Sequence, residues 1–227
     1  MKNLILFLCL FLSATVFSQE AYWQDFILDV RIGHAEAATE SIIEFYSSID
    51  IPEDVSASLS RIQMKGNDFV GTHILSFVSP SAKSLADFRN SLTGSKWELY
   101  VQKIQKHIKS VRSSAGNSMY RKNIDLNQPI GQAWSFKVKD QAAFAGAFVK
   151  LMESFEIPGL ISMGQFTHGT DNGINMYIYS TYPDLEAAYR FGPDNPKEQE
   201  AFAAFQQAIS DADYYETFTR VLIKRLN

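Results

Sequence analysis

Cysteine is almost missing from this chain of 227 residues, and the one that occurs, Cys9, lies in the N-terminal segment. Beyond it there is no thiol to form a disulfide, act as a nucleophile or bind a soft metal, so the rest of the chain must be held by its core alone. Histidine is nearly as scarce. His34, His73, His107 and His168 are the four present, and none pair at H-x-H or H-E-x-x-H spacing, so no dedicated metal site is expected. An excess of positive charge is lacking too: 21 Lys and Arg against 25 Asp and Glu leave a formal charge of -4, with no electrostatic drive toward nucleic acid or anionic lipid. No Ser-His-Asp order, Gly-rich phosphate loop or paired-carboxylate motif occurs, and Gly164 and Gly169 read as isolated turn or bulge glycines. Nothing in the chain requires a cofactor.

The longest apolar run, Leu4 to Leu12, follows Lys2 and precedes Val16-Phe17-Ser18, which puts a small residue just before Gln19. That is the pattern of a secretory signal peptide, and the run is well short of the roughly 20 residues that a membrane span needs. Residues 1–18 are therefore expected to be removed, leaving an exported protein, periplasmic or secreted, with no membrane span. Phe7-Leu8 before Cys9 are too bulky for a lipoprotein signal.

What the chain does have is the ordinary composition of a globular protein, 46% hydrophobic and 20% charged, and a pattern written twice. Ser48-Ile49-Asp50-Ile51-Pro52 returns as Ser154-Phe155-Glu156-Ile157-Pro158, 106 residues later. At the same offset Trp134, Phe136 and Val138 repeat Leu28, Val30 and Ile32, a period-2 strand pattern, and Phe148-Val149 repeats Ile42-Ile43 on a helix-period segment over 36–46. Further on the offset drifts down. The strand from Gly173 answers the one from Gly71 at 102, and Ala187 to Arg190 answers Ala86 to Arg89 at 101. Between these lie a strand over 58–65, a turn at Gly66-Asn67-Asp68, and helices starting near Pro80 and at Ser95 with Glu98. The Ser95 helix is predicted to carry Trp97, Val101, Ile104, Ile108 and Val111 on one face, and closing strands are predicted over 118–124 and 217–223. A connector over 127–131 divides residues 22–126 from 130–227.

Each half reads strand, helix, strand, strand, helix, strand, the split βαβ order of ferredoxin-like folds. The chain resembles the dimeric α/β barrel superfamily, here with its two units fused in one polypeptide so that the repeat replaces homodimerisation. The fold class expected is α+β, two tandem ferredoxin-like βαββαβ repeats with their sheets packed into an α/β barrel. The resemblance implies a ligand held between sheet and helices or inside the barrel. It carries no motif that would transfer a catalytic role.

Strand parity supplies the candidate residues. If Leu28, Val30, Ile32, Trp134, Phe136 and Val138 face the helices, then Asp29, Arg31, Ser135 and Lys137 face the other side. Arg31 and Lys137 occupy equivalent positions, as do Arg121 and Arg220 on the closing strands, and converging cations would bind a carboxylate or phosphate, unless they pair across strands or face solvent. His73, Leu75 and Phe77 with Asn175, Tyr177 and Tyr179 are placed on the barrel interior. His73 and His168 are the candidates for acid, base or haem-ligand chemistry; a satisfied buried imidazole and a turn residue are their plainer readings. His107 is read as solvated and His34 as a capping or loop residue.

The leading expectation is a binding protein for a small amphipathic or anionic molecule, with Arg31, His73, Lys137, Asn175, Tyr177, Tyr179 and Arg220 as its site. The alternatives are a cofactor-free monooxygenase-like or haem-handling enzyme, and a structural or interaction protein with a filled core.

Overall fold

In the computed structural model, residues 20–227 are described; the expected signal peptide and Cys9 lie outside them. The elements alternate as β1 (Ala21–Val30), α1 (Ala35–Tyr46), β2 (Ser56–Lys65), β3 (His73–Ser79), α2 (Ala82–Ser91), α3 (Gly94–Gln105) and β4 (Ile108–Lys122). A single 3-10 turn (Ile124–Leu126) leads on to β5 (Ile130–Lys137), α4 (Gln141–Met152), β6 (Ile161–His168), β7 (Met176–Tyr182), α5 (Leu185–Tyr189), α6 (Pro196–Ala208) and β8 (Asp213–Arg225). The eight strands close into one antiparallel barrel in the order β1-β3-β2-β8-β5-β7-β6-β4. Pairing of β2 with β8 and of β4 with β6 joins the first four strands to the last four, so no sheet edge is left open.

The helices lie outside the barrel because one face of each strand is apolar and bulky. Leu28 and Val30 of β1, Ala57 and Leu59 of β2 and Leu75 and Phe77 of β3 pack under Ile42, Phe45 and Tyr46 of α1, Phe88 of α2 and Tyr100 and Ile104 of α3. Phe136, Met163, Met176 and Ile178 of the later strands meet Phe144 and Phe148 of α4 and Phe205 of α6 in the same way. These two layers are filled with rings: Phe45 stacks on Tyr100 at 4.3 Å, and Phe144 meets Phe205 edge-on at 5.9 Å. Four helices start on side-chain caps, Ser81, Asp140, Asp184 and Asn195, each accepting from the backbone N–H three residues on. No helix among the described residues is long and apolar enough to cross a membrane.

Three expectations are corrected. β1 stops at Val30, and Ile32 is 94% exposed in the following turn rather than on the helix-facing side. α3 begins after Thr93, not at Ser95, and ends at Gln105; Ile108 and Val111 belong to β4, which runs for 15 residues and not merely over 118–124. The third concerns register. β3 and β7 begin and end 103 residues apart, not 102. Side chains alternate across a strand, so that single residue exchanges faces: His73, Leu75 and Phe77 lie on the helix side of the wall, whereas Tyr177 and Tyr179 point inward.

Candidate functional site in the barrel lumen

An eight-stranded barrel is just wide enough for its interior to be filled by its own side chains. Here it is not filled. A cavity of about 1220 Å³ runs through it, because the inward positions are dominated by small residues such as Ser58, Ser76, Ser114, Ser118, Ser135 and Ser162, with Ala133. Three large inward rings are folded flat against the wall over glycines of neighbouring strands. A Cβ on Gly131 would come within 2.3 Å of the Tyr179 hydroxyl, one on Gly164 within 2.8 Å of the Tyr177 hydroxyl, and one on Gly116 within 2.6 Å of the Trp23 ring. Gly164 stands opposite Ser118 where the β4–β6 register shifts, as a bulge glycine would, and it also seats a lumen side chain. Ile27, Phe69 and Ile74, with Ile62 and Phe218, form a small apolar cluster inside the wall beside the β2–β3 turn.

Two polar networks cross this space. In one, Arg220 on β8 donates from Nε and Nη2 to the Tyr179 hydroxyl at 3.1 and 2.7 Å, and from Nη1 to Ser76 Oγ at 2.8 Å. Tyr179 lies on β7 and Ser76 on β3, neither of them a neighbour of β8, so the guanidinium spans the interior. Asp25, the cross-strand partner of Ser76, faces the same group. Burial raises the Asp25 carboxyl above its ordinary value, against the pull of Arg220 and Ser76. Burial also works against the Arg220 charge, but Tyr179 and Asp25 outweigh it and hold the guanidinium more firmly protonated than usual.

In the second network Trp23 Nε1 donates to the Tyr177 hydroxyl at 3.0 Å, Ser118 Oγ lies 3.0 Å from that same hydroxyl, and Ser162 Oγ donates to Ser118 at 3.0 Å. Trp23, Phe166 and Tyr177 meet edge to face at 5.3 to 5.6 Å. Burial raises the Tyr177 phenol, while Ser118, Ser162, Trp23 and the Arg121 charge oppose it. Near one mouth Arg112 of β4 reaches Glu216 of β8 at 3.9 Å and sits over the Phe69 ring at 4.6 Å.

Of the residues singled out in the sequence, Ser135, Tyr177, Tyr179, Arg121 and Arg220 line the lumen. The others stand elsewhere. Arg31 lies beyond the end of β1 and Lys137 is the last residue of β5, both exposed. Asn175 accepts from Val138 N at 2.9 Å and donates to Val138 O at 2.8 Å, a clasp that extends the β5–β7 pairing by one side chain. His73 is buried on the helix side, its Nδ1 3.0 Å from Thr72 Oγ1, and burial lowers its pKa. His168 closes β6 in the open, beside Thr167. His34 makes no side-chain cap on α1; its Nδ1 meets that of His107 at 3.1 Å, joining two residues that sequence spacing had left unrelated.

Among the described residues no three His, Cys, Asp or Glu side chains gather to hold a metal ion. A haem does not suit this lumen: its lining contains no His or Cys, and the phenols of Tyr177 and Tyr179 are already engaged. Sequence reasoning missed Trp23, Asp25, Ser76, Ser118 and Ser162. A signal was present in Trp23-x-Asp25-x-Ile27 and Ser56-x-Ser58-x-Ser60, polar or small residues alternating with the apolar outer face.

No family model matches the sequence, and neither does any curated protein. Likeness appears in three dimensions. A presumed monooxygenase from Lactobacillus acidophilus superposes with a TM-score of 0.61 at 16% identity, over 90% of this chain and 95% of that one. Another presumed monooxygenase, from Fusobacterium nucleatum, reaches 0.63 at 10% identity over 90% and 93%, and an anthrone oxidase-like protein 0.56 at 10% over 91% and 92%. What they share with this chain is the fold. It is an α+β fold around a closed eight-stranded antiparallel barrel, followed over nearly the whole length of each protein.

Proposed function

We propose that the protein binds a small, partly apolar anion inside the barrel. The observation that carries this reading is an eight-stranded barrel held open by serines and by rings seated on glycines, with the arginines Arg121 and Arg220 inside it. Such a lining leaves a natural fold's usual core volume to a guest, and the cations supply its orientation. The layer between sheet and helices, the other place a ligand could sit, is occupied by the aromatic packing of both helix layers. A panel of aromatic and aliphatic carboxylates, phenols and neutral analogues, followed by thermal unfolding, is the test. Binding should stabilise the wild type and not a variant whose lumen is filled by Ser135→Leu with Ser162→Leu. Stabilisation that survives the filling would place the ligand outside the barrel and refute the reading.

A second reading is favoured by the fold, which is shared with two presumed monooxygenases and an anthrone oxidase-like protein. A lumen that stabilises a phenolate or enolate by Arg121 would suit oxygenation of the bound anion by dioxygen without a cofactor. Oxygen uptake with the phenols that bind, absent from the lumen-filled variant, would support it; binding without uptake would leave the protein a binding module. The same proposal includes two features of the chain's history. The two halves, β1 to β4 and β5 to β8, are copies of one ferredoxin-like unit, and the barrel they close within one chain takes the place of a dimer. The segment 1–18 directs export and is removed, and the protein acts in the periplasm or outside the cell.

A further inference from the structure

Arg121 and Arg220, which both line the lumen, are not alike. Arg220 is spent: three of its donors are used on Tyr179 and Ser76, and Asp25 faces its charge. Arg121 comes inward from β4 opposite Ser162, its register partner, while its neighbour Tyr120 packs outward on Phe148. It makes no side-chain hydrogen bond and no ion pair within the described residues, and burial disfavours its charge, with only the Tyr177 phenol acting the other way. Arg121 is half-buried, and a guanidinium that lines the lumen without an ion pair keeps its donors for a guest.

The second network leaves another donor able to turn. Ser162 donates to Ser118 and the Trp23 N–H donates to the Tyr177 oxygen, while between Ser118 and Tyr177 either hydroxyl can be the donor. With Ser118 donating, Tyr177 accepts twice and its phenol proton is open to a guest. A cation without an ion pair and a hydroxyl that can turn face the same part of the lumen, and the Trp23–Phe166–Tyr177 ring cluster borders them.

We propose that Arg121 and the Tyr177 hydroxyl form an anion subsite for the carboxylate of a ligand whose flat apolar body lies against Trp23 and Phe166, while Arg220 is a structural tie across the barrel. The inference rests on the lumen being the binding site and adds which cation meets the guest and what class of guest it is. A planar carboxylate can take a guanidinium N–H on one oxygen and the phenol O–H on the other.

The experiment uses 4-bromobenzoate as the probe, in crystals of the full protein and by calorimetry. The bromine anomalous signal should lie in the lumen with the carboxylate on Arg121. Arg121→Met should weaken binding about tenfold or more, the ordinary worth of a charge-assisted hydrogen bond, and Tyr177→Phe by less. Because Arg121 makes no contact that holds the fold, Arg121→Met should unfold at the wild-type temperature or above, whereas Arg220→Met should unfold lower. Neutral 4-bromobenzamide should bind at least tenfold more weakly than the acid. A carboxylate found on Arg220, or unchanged affinity in Arg121→Met, overturns the assignment and leaves the lumen reading standing. Displacement by inorganic phosphate as effective as by benzoate would show selection of charge alone and overturn the ligand class. Absence of the probe from the lumen overturns both this inference and the reading beneath it.

Discussion

The two faces of the barrel wall are built from the same strands by opposite rules. Outward, every second residue is large: Leu28, Leu59, Phe77, Phe136 and Met163 meet helices whose rings leave no room for a guest. Inward, many positions are small, and three of the large rings that occur, Trp23, Tyr177 and Tyr179, are laid over glycines rather than allowed to meet in the middle. The outer face is therefore where stability is concentrated, and the inner face is where volume has been kept free. A stretch such as Ser58-Leu59-Ser60 carries both rules at once, which is why its inward serines do not signal a surface strand.

The largest effect expected from breaking this contrast is on the outer face. Phe148 is 1% exposed and packs against Tyr120 and Phe205, so Phe148→Ala should cost about 3–5 kcal/mol in urea unfolding. The inward counterpart, Ser135→Ala, should change stability by about 0.5 kcal/mol or less. Equal costs would mean that the lumen wall is as tightly packed as the helix layer. Next in size is Gly131→Ala, whose new methyl would strike the Tyr179 hydroxyl and through it the Arg220 tie. A loss of about 1–3 kcal/mol is expected. If the clash is with the ring and not with the strand, the double variant with Tyr179→Ala should be less destabilised than the two single losses added together.

Much of the architecture was legible, and the reasons the rest was not are local. Outer-face periodicity located β1 and α1 because bulky residues mark a buried face in either half. β4 was hidden because its inner face lines a polar lumen and its outer residues near the mouth, such as Val111, are exposed; with no apolar alternation left, Ile108 and Val111 read as a continuation of the helix before them. The glycines Gly71 and Gly173 aligned at 102, yet Gly71 stands two residues before β3 and Gly173 three before β7, in loops of equal length, so strands 103 apart were assigned one residue out of step. That slip sent His73 inward on paper. Trp23 and Asp25 alternate with the apolar outer face of β1, but that spacing does not name their partners; only the closed barrel brings them to Tyr177 and Arg220.

The smallest effect, and the one that separates the faces most cleanly, is in the pH dependence of stability. Asp25 and His73 lie on neighbouring strands but on opposite sides of the wall. Burial raises Asp25 above its ordinary 3.8, so the folded protein holds that proton more tightly than the unfolded chain. Its contribution is complete below the ordinary value and is lost as pH rises through the folded one. Burial and the Arg61 charge lower His73 below its ordinary 6.5, so here the unfolded chain binds the proton more tightly. Its contribution is complete above the ordinary value and is lost as pH falls toward the folded one. Asp25→Asn should therefore flatten the stability curve on the side where the wild type weakens with rising pH, and His73→Gln on the side where it weakens with acid. Urea midpoints measured from pH 4 to 8 decide it. If Asp25→Asn instead removed an acid-side loss, Asp25 would be a carboxylate stabilised by Arg220, and the inner face would hold its charges as an ion pair.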